Sequence, residues 1–140
     1  MVEIIAGKKG KGKTKELLAK VKGDLANANG SLVYIDKSQK HMFELDSKVR
    51  LINMADYPIE STDEFTGFLS GVISQNSDIE EIFLDSFLTV AFIDTNNGLC
   101  SAMEKLDVIS EKFGVKFVLS ISQDEADLPD VVKARIVVSL

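Results

Sequence analysis

The sequence has one cysteine, one histidine, two prolines, two arginines and no tryptophan in 140 residues. Cys100 alone forms no internal disulfide. With His41 as the only imidazole, a zinc cluster of cysteines and histidines is excluded as well. No apolar run approaches the roughly 18 residues needed to cross a bilayer. No basic-then-apolar leader precedes the first structural segment, because the chain enters an apolar run at Val2. These absences make a cytoplasmic protein without a membrane anchor the expectation. Hydrophobic residues make up 45% and charged residues 27%, a composition that folds. At about 100–200 residues per domain, residues 1–140 should form a single domain.

The net charge of −6 conceals an asymmetry. Seven lysines and two glutamates give residues 1–22 a charge of +5, whereas the remainder carries −11. The early lysines are interleaved with glycines, which is unlike a plain basic arm.

Apolar patterning predicts alternating strands and helices. Val2–Ala6 is a short β-branched run, a buried strand by this pattern. Leu17, Leu18, Val21 and Leu25 then recur at helical spacing. Leu32–Asp36 is a second strand ending at an acid, and Met42–Leu45 with Val49–Ile52 flanks Asp46-Ser47 as a small hairpin or strand pair. A helix begins at Thr62, Ile82–Asp85 is a third strand ending in Asp, and Leu99 to Phe113 is a helix stopped by Gly114. Phe87 to Ile93 is too apolar for a plain loop and is expected to be buried. Val115–Ser122 and Ile136–Val138 complete the strands. Such alternation predicts an α/β fold with a mostly parallel sheet of about five strands and helices on both faces. Ligands of such sheets bind at the carboxyl ends of the strands, where Asp36, Asp85 and Gln123 lie.

Gly7-Lys8-Lys9-Gly10-Lys11-Gly12-Lys13-Thr14 fits G-x-x-x-x-G-K-[ST] without a mismatch. Glycines let the backbone curl so that successive N–H groups face phosphate oxygens. The following helix adds its positive end. Lys13 would reach the β- and γ-phosphates, and the Thr14 hydroxyl would ligate Mg²⁺. A chance match in a chain of this length occurs on the order of one time in a hundred, and here the required strand and helix also flank it. Lys8, Lys9 and Lys11 either add charge around a triphosphate or are solvated loop lysines. Asp85 has the place of the acid that holds the magnesium ion's water shell.

In order and spacing these motifs resemble the RecA-like ATPase core, a phosphate-loop NTPase fold shared by RecA, KaiC and the DnaB helicases. The resemblance rests on Gly7–Thr14, Val33-Tyr34-Ile35-Asp36, Ile82–Ser86 and Val118–Gln123, and covers most of the chain. It implies a three-layer sandwich, ATP and Mg²⁺ as ligands, and Gln123 as a sensor of the γ-phosphate. Lys8 also falls where the deviant loops of MinD-like ATPases carry a second lysine, although those loops have glycine at the position of Lys9. Lys133-Ala134-Arg135 is similar to the Lys-x-Arg pair that reaches a neighbouring subunit's nucleotide in several hexameric relatives.

The chain departs from the family in its water-activating acid. Asp36-Lys37-Ser38 offers no glutamate beyond the second strand, and Ser86 follows the magnesium aspartate. Asp36 or Glu44 is left to stand in for that glutamate, with Gln123 to orient water or simply end its strand. Slow ATP hydrolysis is therefore expected, with a non-hydrolysing ATP-sensing module as the alternative. Two arginines are too few for the lid of a small-molecule kinase. Asp124, Glu125, Asp127 and Asp130 follow Gln123, and residues 86–98 carry no basic side chain, so these loops should not bind DNA. His41 is read as a surface residue without an acid–base or metal partner.

Overall fold

The β-branched runs become strands and the 3.6-period segments become helices, with one exception near residue 45. In chain order the elements are β1 (Val2–Ala6), α1 (Lys13–Leu25), β2 (Ser31–Asp36), β3 (Arg50–Asn53), α2 (Thr62–Gln75) and β4 (Ile79–Leu84). There follow α3 (Phe87–Val90), α4 (Asn96–Phe113), β5 (Lys116–Ile121), α5 (Asp130–Lys133) and β6 (Ile136–Ser139). A computed structural model describes residues 1–140 with all six strands in one sheet, ordered β3-β2-β4-β5-β1-β6. Every neighbouring pair is parallel. The α/β class and parallel sheet thus match the sequence pattern, but the strands number six rather than about five.

The extra strand corrects the expected hairpin. Met42–Glu44 is a single 3₁₀ turn, and Arg50–Asn53 pairs in parallel with β2, Val33 opposite Arg50 and Asp36 opposite Asn53. A parallel partner needs a long connection, which residues 37–49 provide by passing back along the sheet. Asp46-Ser47 therefore lies within that crossover and turns no hairpin.

Local signals set the helix ends. The Ser61 hydroxyl accepts from the Glu64 N–H at 3.1 Å, capping α2. Thr95 caps α4 in the same way through Gly98, and α4 stops at Gly114, whose φ of 66° suits a residue without Cβ.

Strand alternation divides the core into two layers. Ile4, Val33, Ile35, Ile82, Leu84, Phe117 and Leu119 face α2, α3, α4 and α5, packing with Phe65, Leu69, Phe87 and Leu106. Ile5, Leu32, Tyr34, Phe83 and Val118 face the opposite way, against Leu17 and Val21 of α1. Each large apolar side chain fully buried in these layers stabilises the fold by roughly 1.5–3 kcal/mol. Phe87, Val90 and Ile93 are buried as expected, while Phe92 is exposed. No helix is long and apolar enough to cross a membrane.

Candidate functional site

Period-two geometry decides which strand-end residues meet. Side chains two positions beyond Tyr34, Phe83 and Val118 emerge on the same face, toward α1. Those residues are Asp36, Asp85 and Ser120. Register aligns them as well, because Ile35 lies opposite Leu84 and Leu84 opposite Leu119. Two acids and a hydroxyl therefore gather under the start of α1.

The glycine–lysine loop joins β1 to α1, in the context the motif requires. Gly10 and Gly12 adopt φ values of 86° and 90°, a region that costs an L side chain energy. Gly12 is also the residue before α1, which has no side-chain cap. The N–H groups of Lys9, Gly10, Gly12, Lys13 and Thr14 find no acceptor within the chain. Lys8, Lys9 and Lys11 are exposed, so the open amides lie in a basic rim at a helix N-terminus. Such an arrangement favours an anion.

Lys13 is buried, and its Nζ donates to the Lys8 carbonyl at 3.0 Å, across the loop. Burial pulls its ammonium below the usual range, and the nearby Asp85 carboxylate pushes it back up. Thr14 Oγ1 donates to Asp85 Oδ2 at 3.0 Å. Asp85 Oδ2 also accepts from the Tyr34 hydroxyl at 2.7 Å, while Oδ1 accepts from Ser120 Oγ at 2.6 Å and Ser86 N at 2.9 Å. Four donors match a carboxylate's lone-pair sites and lock its orientation. Ser86 itself adopts φ 53°, a left-handed conformation unusual for serine, and its N–H is held by both Asp85 and Ser120.

Asp36 sits beside Asp85 and is buried. Its Oδ1 accepts from Lys37 N at 2.7 Å, but Oδ2 has no hydrogen-bond partner. Burial raises its pKa first, and the Asp85 charge raises it further. Gln123 is half-buried two residues past β5, the strand between β1 and β4, and its Oε1 is likewise unpartnered.

Compared with known proteins, the sequence matches no family model and no curated protein.

His41 is the clearest correction. It is not an isolated surface residue: it is half-buried, its Nδ1 meets Glu44 Oε2, and a ring nitrogen lies within 4.8 Å of carboxylate oxygens of Asp36 and Asp85. The crossover of residues 37–49 carries it there, which the expected hairpin would not have done. A groove of 1070 Å³ runs between α1 and this crossover, with Thr14, His41 and Glu44 in its wall.

Sequence reasoning also missed Tyr34 and Ser120. Both are legible from alternation once Asp36 and Asp85 are chosen, Tyr34 two residues before one acid and Ser120 two after Val118. Burial and the adjacent Asp85 push the Tyr34 phenol well up, so it remains a donor. Arg135 donates in bidentate fashion to Asp107 on α4, through Nη1 to Oδ1 and Nη2 to Oδ2 at 2.6 Å. It therefore already has a partner in its own chain, and Lys133 is half-buried nearby.

Proposed function

We propose that this chain is a small phosphate-loop nucleoside triphosphate-binding protein with a RecA-like core, which binds ATP with Mg²⁺ and hydrolyses it slowly. The observation that carries this reading is the contact between Thr14 and Asp85 directly below a loop of open amides. A motif lysine and threonine, a basic rim and a strand-end acid converge at one place.

Gly7 to Thr14 cradle the β- and γ-phosphates, with Lys13 exchanging the Lys8 carbonyl for a phosphate oxygen. Lys8, Lys9 and Lys11 add charge at the rim. The donor set fits magnesium, a hard cation that takes oxygen ligands and keeps several waters. Thr14 would supply a hydroxyl to the ion, and Asp85, oriented by its hydrogen bonds, would act through the ion's water shell once Thr14 turns from it. Magnesium supplies neutralisation of charge on the transferred phosphoryl group. The residues of the chain position the phosphates.

Water positioning is the weak part of the machinery. Asp36 lies buried beside Asp85, burial and that neighbour raise its pKa, and no glutamate follows it in Asp36-Lys37-Ser38 to hold an attacking water. Gln123 has a free amide oxygen to orient water without taking its proton. Slow turnover follows. The same observation at Asp36 favours the second reading, an ATP-sensing module that does not hydrolyse.

Titration calorimetry with ATP and Mg²⁺, followed by a phosphate-release assay, tests both. Lys13→Ala should weaken ATP binding by roughly 10–150-fold, the equivalent of about 1.5–3 kcal/mol for a charged hydrogen bond. Unchanged affinity in Lys13→Ala rejects the nucleotide reading. Phosphate release above background that vanishes in Lys13→Ala and Asp85→Ala rejects the non-hydrolysing one.

A further inference from the structure

Two buried carboxylates side by side repel one another unless something positive lies between them. Asp36 and Asp85 are both 3% exposed, at the ends of neighbouring strands. Four donors serve Asp85, but none serves Asp36 Oδ2. An unpaired carboxylate oxygen in the interior costs free energy, and a cation is the species that satisfies it best. The loop lysines do not: Lys13 Nζ is engaged by Lys8.

His41 completes the set. One of its ring nitrogens and one oxygen from each aspartate all lie within 4.8 Å of one another. Glu44 occupies Nδ1, which leaves Nε2 as the free donor. A carboxylate on the far nitrogen is the arrangement that orients metal-binding histidines and raises their basicity. The groove between α1 and the crossover gives an ion a route from solvent to His41.

We propose that Asp36, His41 and Asp85 bind a divalent transition-metal ion, Zn²⁺ or Mn²⁺, in the absence of nucleotide. An imidazole beside two carboxylates suits these ions, whereas magnesium prefers an oxygen-only shell with near-ideal octahedral geometry. Ligand bonds of about 2.0–2.2 Å bring the three donor atoms to within about 3.5 Å of each other. The His41 turn closes by no more than about 1.3 Å to reach that spacing. Thr14 turns its hydroxyl away from Asp85 Oδ2, a rotation about one bond, which opens one lone pair of that oxygen while Tyr34 keeps the other.

This inference shares Asp36 and Asp85 with the nucleotide reading but does not rest on it. The test is calorimetric titration of the full chain, without nucleotide, with ZnCl₂, MnCl₂ and MgCl₂ separately. One Zn²⁺ or Mn²⁺ per chain is expected, with Mg²⁺ at least tenfold weaker. His41→Ala and Asp36→Asn should each weaken zinc at least tenfold, and Glu44→Gln several-fold, while thermal melts show all three folded. Lys105→Ala, which removes a lysine paired with Asp63 away from the site, should leave zinc affinity unchanged.

Absence of zinc and manganese binding overturns the proposal. Full zinc affinity in His41→Ala also overturns it, because the ion is then held elsewhere. ATP affinity measured on the same samples separates the two claims. Metal binding without ATP binding counts against the nucleotide reading alone, and the reverse counts against this site alone.

Discussion

Thr14 and Asp85 are 71 positions apart in sequence, yet the hydroxyl of one donates to the carboxylate of the other at 3.0 Å. The contact joins the start of α1 to the end of β4 and makes the loop and the acid a single site. Tyr34 shares the same carboxylate oxygen at 2.7 Å from beneath. What holds Asp85 in place therefore also sets the geometry of the loop.

Tyr34→Phe removes that lower donor while keeping the ring packed near Phe83. The buried oxygen loses one of its two partners, at a cost of about 1–2 kcal/mol. A melting temperature lower by roughly 2–8 °C is expected for a chain of this size. A melt superimposable on the parent protein would show that the bond contributes nothing.

Gly12→Ala tests the loop through its backbone. No heavy atom lies within 4 Å of a Cβ built on Gly12, so any penalty comes from its φ of 90° rather than a clash. The substitution should cost about 1–2 kcal/mol and weaken ATP binding at least tenfold. Retained stability with retained ATP affinity would show that the left-handed conformation does not matter.

Glu81 gives a pH dependence far from the site. It is buried at the other end of β4, near Asp24, with Lys116 at 3.7 Å and Lys20 in the same group of charges. Burial and the adjacent Asp24 push its pKa up to about 8, and Lys116 and Lys20 only partly oppose them. The folded state thus holds a proton that the unfolded chain releases near pH 4.5. The associated stability is complete below that pH, declines as pH rises and is lost above about 8. Glu81→Gln should flatten the fall in melting temperature between pH 5 and 8.5. Parallel curves for the two proteins would contradict the assignment.

Gln123→Ala separates water positioning from binding. With an amide oxygen free in the structure, its loss should lower phosphate release about tenfold or more. ATP affinity should remain within about twofold, because the phosphates are held by the loop. An equal fall in affinity and turnover would make Gln123 a binding residue.

The strands, the main helices and the loop motif were legible because each depends on near neighbours in sequence. Val2–Ala6 is apolar at every position but Glu3, and Gly114 marks the end of α4 by its own conformational freedom. The hairpin reading near Asp46 failed because Val49–Ile52 has the composition of a strand without revealing its partner. Its pairing is with Val33–Asp36, through a crossover that local pattern does not encode. His41 was misread for the same reason, since its neighbours at the site come from β2 and β4.

By itself, the sequence determined the chemical vocabulary of the protein: a glycine- and lysine-rich loop before a helix, and strands that end in acids. Glycine conformation and apolar periodicity are local properties, so they survive without knowledge of the fold. Tertiary structure decided which acids meet. The order β2-β4-β5-β1 sets Asp36 against Asp85 and Ser120 beside them, and the crossover adds His41. Those adjacencies come from register and burial over long separations, where desolvation and mutual charge give each group its final character.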